Sequence, residues 1–171
     1  MQSPAVAKTA RARRTADGFS LIELLIVVAI ILIIAAIAVP NFLRSRMAAN
    51  EAAAVTACRK ILTAQVIYST TYGRGFTQAL AQLGPPPPGT QPNVNAAGVL
   101  DEVLAGGQKH GYTYTYNPVD SDGDGNPEAF TLNADPVLPG SSGNRQFFID
   151  QSGVVRFKVG GPASVTDPPI G

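Results

Sequence analysis

The chain has 171 residues, 45% of them hydrophobic, a formal net charge of +1 and one cysteine. That length suits one modest domain plus an appendage and excludes two full domains, while the lone Cys58 excludes an intrachain disulfide and reads as a buried thiol. Charge is uneven: residues 1–18 carry Lys8, Arg11, Arg13 and Arg14 against Asp17, a net +3, leaving −2 for the rest, where no basic stripe interleaved with aromatics indicates nucleic acid.

The first predicted element is apolar. Leu24 to Val39 are sixteen uncharged residues, immediately preceded by Glu23. Phe19 to Val39 spans 21 residues, and at ~1.5 Å per helical residue that length matches a hydrocarbon layer of ~30 Å. Arg44 and Arg46 follow the run, but the upstream basic cluster is denser, which leaves the N-terminus in the cytoplasm. A cleaved secretory signal with Ala36-Ile37-Ala38 as its cut site is opposed by the long pre-core region, by the acid at Glu23 and by apolar character continuing to Phe42 and Leu43. A twin-arginine address at Arg13-Arg14 is weaker still, because Phe19 comes five residues later. A plain signal anchor accounts for the span but not for glycine, phenylalanine and glutamate at positions 18, 19 and 23.

After Pro40 the helical pattern resumes to about Tyr72, rich in alanine and free of internal glycine. Pro40 removes one backbone hydrogen bond and crowds the preceding turn, so a kink or a loosened stretch is expected there. Two stripes lie on the second half, Val55/Cys58/Leu62/Val66 and Ala57/Ile61/Ala64/Tyr68/Tyr72. So wide an apolar face calls for two partners, the chain's own domain and another copy. Gly73 ends the helix.

Leu83 to Asn93, "LGPPPPGTQPN", reads as a stiff polyproline-type spacer. A short helix is expected over Ala97 to Ala105, and His110 lies in the following turn with no second histidine to suggest a metal or catalytic role. From Gly111 the period becomes two: residues 112–117, 129–134, 145–150 and 154–159 read as four strands of an antiparallel meander, with "DQSGV" a hairpin turn between the last two. The helix stripe ending in Tyr68 and Tyr72 is the available cover for its apolar face, and those rings with Phe76 serve packing rather than electron transfer. The fold class is therefore α+β. Its parts are a basic leader at 1–18, a long helix at 19–73, a Pro-rich connection with a short helix at 74–110, the sheet at 111–160 and a tail at 161–171.

"GFSLIELLIVVAIILIIAAIAVPNF" resembles the N-terminal segment of type IV pilins and of the pseudopilins of type II secretion, and "LDEVLAGGQKHGYTYTY" and "GNRQFFIDQSGVVRF" are similar to the globular part of disulfide-free members. The resemblance implies the pilin fold, with the first half of the helix crossing the membrane. It implies cleavage by a prepilin peptidase after Gly18 and N-methylation of Phe19, with Glu23 as the acid at the fifth mature position and Pro40 as the helix-loosening proline. Asp17 departs from the lysine or arginine common before that glycine. The implied partners are other copies of the chain in a homopolymer, membrane lipid before assembly, and an assembly machinery in the inner membrane whose ATPase is separate, since no GxxxxGK[ST] occurs here.

"DSDGDGN" at 120–126 places acids at alternate positions, as a hard cation requires. Asp120, Asp122, Asp124 and Gly125 match the first half of an EF-hand loop, Asn126 could add a backbone carbonyl and Glu128 a late carboxylate, but Thr131 stands where the twelfth-position glutamate belongs. The candidate ion is Ca2+; the competing reading is an ordinary acidic hairpin tip.

The leading expectation is a type IV pilus subunit, made as an inner-membrane precursor and polymerised into an extracellular filament. The alternatives are a major type II secretion pseudopilin acting in the periplasm, and a membrane-anchored calcium-binding or adhesive module that never polymerises. An enzyme is not expected, because no Ser/His/Asp set, paired histidines, Cys/His site or phosphate loop occurs.

Overall fold

The computed structural model describes residues 18–170. The expected leader up to Asp17, with its basic cluster, and the last residue of the expected tail lie outside the described residues. The chain divides at Pro40 into two units, residues 1–40 and 41–171. Helix α1, Leu21–Tyr72, begins in the first and ends in the second, and its helical hydrogen bonding continues past Pro40.

In the first unit, α1 opens with the Leu24 N–H donating to the Ser20 carbonyl at 3.2 Å. From Leu21 to Pro40 no side chain is buried. Leucine, isoleucine and valine supply the helix-forming and apolar surface on every side, so no polar face exists for water.

In the second unit, α1 buries one line of residues: Glu51, Ala54, Cys58, Ile61, Gln65 and Tyr68, with Ala57 and Ala64 beside it. Steps of three and four keep these residues on one face. Both stripes expected from the sequence contribute to that line, Cys58 from one and Ile61 and Tyr68 from the other. Val55, Leu62 and Tyr72 also pack against the domain's own core, so of the two stripes only Val66 stays about half exposed, at 49%. Gly73, at φ +63°, ends the helix in a left-handed conformation, its N–H donating to the Ser69 carbonyl at 3.0 Å.

The segment after α1 holds a short 3-10 helix at Leu80–Leu83, which buries Leu80 and Leu83. Helix α2 covers only Glu102–Ala105, with Asp101 as N-cap accepting from the Leu104 N–H. The longer helix expected from Ala97 does not form, because the N–H groups of Ala97, Gly98, Val99 and Leu100 donate to carbonyls of Gln82, Gly84 and Leu83 instead. Gly98, at φ +69°, also leaves helical geometry.

The sheet has five antiparallel strands in the order β1-β2-β3-β4-β5, one more than expected: β1 Gln108–Lys109, β2 Tyr112–Val119, β3 Ala129–Pro136, β4 Arg145–Asp150 and β5 Arg156–Val159. The added strand is two residues long and pairs Gln108 with Thr113 and Lys109 with Tyr112 across His110 and Gly111, both at positive φ. Two such residues make the tight turn that suits the strands' twist.

Tyr112, Tyr114, Phe130, Leu132, Ala134, Phe147 and Ile149 alternate along the strands and join Ile61 and Cys58 in one core. Full burial of a side chain such as Ile61 stabilises by about 1.5–3 kcal/mol. In β4, Gln146 and Phe148 are also buried, on the opposite face. The C-terminal segment covers that face: Asn133, opposite Phe148 in the register, donates to the Ala163 carbonyl at 2.8 Å. Further along, Phe157 N–H donates to the Pro168 carbonyl, and Ile170 N–H to that of Val155. These bonds tie the expected tail onto the domain.

Candidate functional site

Two stretches carry the candidate residues, one in each unit. In the first, Gly18 and Phe19 precede α1, both exposed. A Cβ at Gly18 would meet nothing within 4 Å, so packing here does not demand glycine. Glu23 lies in the first turn of α1, where unpaired N–H groups favour an acid. Beyond it, Leu24, Leu25, Ile26, Ile30, Ile31, Leu32, Ile33 and Ile34 each expose more than half of their surface. Helix α1 is long and apolar enough to cross a membrane. So large a contiguous apolar surface requires lipid or protein around it. Pro40 stands at the end of this unit.

In the second unit, Asp120, Asp122, Asp124 and Glu128 offer oxygens that all lie within 4.8 Å of one another. The loop between β2 and β3 draws them together through its own amides. Asp120 accepts from Gly123 N–H at 2.7 Å and Gly125 N–H at 2.9 Å; Asp122 accepts from Asp124 N–H at 3.1 Å; Glu128 accepts from Ser121 N–H at 2.9 Å. Asn126 spends its side chain on Asp124, donating at 3.0 Å, and adds its own N–H at 2.7 Å. That side-chain bond, followed by the backbone bond, holds the Asp124 carboxyl below its usual range. The Asp124 amide favours the charged form of Asp122, but desolvation and the charges of Asp124, Glu128 and Asp120 outweigh it and move the Asp122 carboxyl up. Four crowded carboxylates of this kind could hold a hard cation such as calcium, Asn126 contributing only through its backbone.

Sequence reasoning missed Glu51. It is 7% exposed, yet its carboxylate accepts from Asn144 N–H at 2.8 Å, Arg145 N–H at 3.2 Å and Arg145 Nε at 2.7 Å. The signal was present, for Glu51 occupies a core position of a line that is apolar apart from Gln65. Gln65 is its counterpart two heptads on, donating to Thr77 Oγ1 at 2.8 Å and accepting from Thr77 N–H at 3.0 Å.

Comparison with known proteins bears on the first stretch. The prokaryotic N-terminal methylation motif matches residues 13–39. The chain is 60% identical over 38 residues to the type IV wide pilus major component PilA4 of Thermus thermophilus, covering 22% of this chain and 29% of that one. It is 52% identical over 48 residues to the type IV major pilin protein PilA of Myxococcus xanthus, covering 28% and 22%. The matches thus span less than a third of either relative. No solved structure matches. The chain thus carries the prokaryotic N-terminal methylation motif and is similar over a short stretch to two type IV major pilus subunits.

Proposed function

We propose that this chain is a structural, non-enzymatic subunit of a type IV pilus. The observation that carries the reading is the exposed apolar surface of α1, headed by Glu23 and lying within the methylation motif. A prepilin peptidase cuts after Gly18 and methylates Phe19; α1 holds the precursor in the inner membrane with its N-terminus in the cytoplasm. The assembly machinery then moves the subunit into an extracellular homopolymer, where apolar helix surface exchanges lipid for neighbouring helices. Pro40 leaves one backbone carbonyl without its usual donor and so loosens α1 where that exchange begins.

In the new N-terminus, the Phe19 amine would face the unpaired N–H groups of the first turn, which disfavour a positive charge. A carboxylate relieves this, and Glu23 of an adjoining copy supplies it while its own charge leaves lipid. The pilus reading is preferred to a secretion pseudopilin because both curated relatives are pilus subunits by name. Purified surface filaments analysed by mass spectrometry test it: the subunit begins with N-methylated Phe19, and an intact leader on the assembled chain overturns it. As a lesser part of the proposal, Asp120, Asp122, Asp124 and Glu128 would hold calcium. Millimolar calcium then raises the melting temperature, and no shift removes the ion from the account.

A further inference from the structure

The second unit leaves charges of both signs without ion pairs on different patches, although Arg74 lies near enough to the 120–128 loop to help lower the Asp124 carboxyl. Among the described residues only two ion pairs form, Lys109 with Asp101 and Arg145 with Glu51. On α1 beyond residue 50 the remaining charges are Arg59 and Lys60, adjacent, exposed and both positive. They border a groove of about 480 Å³ between α1 and the segment before α2, lined also by Thr56, Ile67, Val99 and Leu100. The acid at its rim, Asp101, is committed to Lys109 at 2.8 Å and to the Leu104 N–H at 3.1 Å. On the opposite account stand Asp120, Asp122, Asp124 and Glu128, four carboxylates in nine residues with no cation within ion-pair distance among the described residues.

We propose that the groove beside Arg59 and Lys60 receives the 120–128 loop of a second copy of this chain. Two different patches that complement one another make a heterologous contact, which propagates from copy to copy rather than closing on itself as a twofold dimer does. The occupant is fixed by charge: the loop carries four negative charges, stays net negative even with a divalent ion, and contains no apolar side chain between Asp120 and Asn126 that would need a dry pocket. Like charges meet if two grooves or two loops face one another, so the pairing also sets which faces touch. The proposal rests on the pilus reading and adds to it a contact outside the apolar helix.

The test uses the full chain in cells that assemble filaments. A variant carrying both Lys60→Cys and Asp122→Cys, treated with a short bismaleimide, is expected to give a ladder of dimers, trimers and higher species, whereas either single variant gives none. Cys58 is fully buried and does not compete. Arg59→Asp with Lys60→Asp is expected to abolish filaments, as is Asp122→Lys with Asp124→Lys, and joining the two pairs of changes in one chain restores them. All four positions are exposed, and melting of each variant's membrane-held subunit that matches wild type in the presence of a calcium chelator excludes misfolding as the cause. Filaments of the double-cysteine variant that give no cross-linked ladder, or normal assembly of either charge-reversed variant, overturn this contact and leave the pilus reading standing. Absence of wild-type filaments overturns both.

Discussion

Glu51 and Arg145 tie α1 to the start of β4, Arg145 Nε donating to the Glu51 carboxylate at 2.7 Å while two backbone N–H groups donate to the same side chain. Glu51 is nearly buried, at 9% side-chain exposure, but Arg145 is 41% exposed. The ion pair itself is thus partly screened and weak. The larger effect is that losing Glu51 removes the buried acceptor of two backbone N–H groups. Glu51→Ala is therefore expected to cost about 2–3 kcal/mol, read as a lower urea midpoint with an unchanged slope. Lys at position 145 should cost less than Ala at 51.

The same carboxylate sets an acid limit. Burial raises the Glu51 carboxyl, but the Asn144 amide, the Arg145 side chain and the Arg145 amide together bring it below its ordinary 4.5. A carboxyl lowered on folding stabilises fully above its unfolded value and loses that contribution as pH falls through the folded one. Wild-type stability should fall below pH 4.5 more steeply than that of Glu51→Gln, whose melting curves should converge with it in acid. Parallel curves would remove Glu51 from the acid response.

Gly75 is a second point of no tolerance. A Cβ there would stand 2.1 Å from the Pro127 carbonyl oxygen, backbone that cannot swing aside. The neighbouring Phe76 N–H donates to that same oxygen at 2.7 Å. Gly75→Ala should break this bond and cost about 1–3 kcal/mol, as overpacking does, measurable as a drop in melting temperature, with faster amide exchange at Phe76.

Cys58 is fully buried, and burial pushes its thiol up to about 12, its own backbone bond offsetting little of this. The thiolate is the reactive form. Folded protein at pH 8 should resist iodoacetamide over hours and label at once in urea. Rapid labelling of the native chain would contradict the burial.

Glu23→Ala separates anchorage from assembly. A carboxylate costs about 2.5–3.5 kcal/mol at the centre of a membrane helix and less near its end, so its removal should leave the subunit processed and more firmly held in lipid. Filaments should be lost, as pelleting of sheared surface material would reveal. Wild-type amounts of filament would separate Glu23 from the Phe19 amine.

The long helix and the four principal strands were legible because their periods are strong: Tyr112 and Tyr114 or Phe130, Leu132 and Ala134 alternate without a break. Strand β1 was not, since two residues offer no period, and its existence depends on the left-handed pair His110 and Gly111. The residues before α2 read as helical but are claimed by distant carbonyls, a tertiary effect that no local pattern records. Of the candidate positions, the acidic loop announced itself by alternation. Glu51 did not, because its meaning depends on Asn144 and Arg145, more than ninety residues away.

Glu51 and Gln65 lie fourteen residues apart on one face of α1, about 21 Å along the axis. Each is fitted to its own fixed partners, so a slide of α1 by one turn against the sheet would forfeit both at once while leaving its alanine-rich surface in tolerable apolar surroundings. They act as two rivets along a seam that would otherwise slip. A pull along the second half of α1 is thereby carried into β4 through Asn144 and Arg145 and into the segment after α1 through Thr77, so that this half of the helix and the sheet move together.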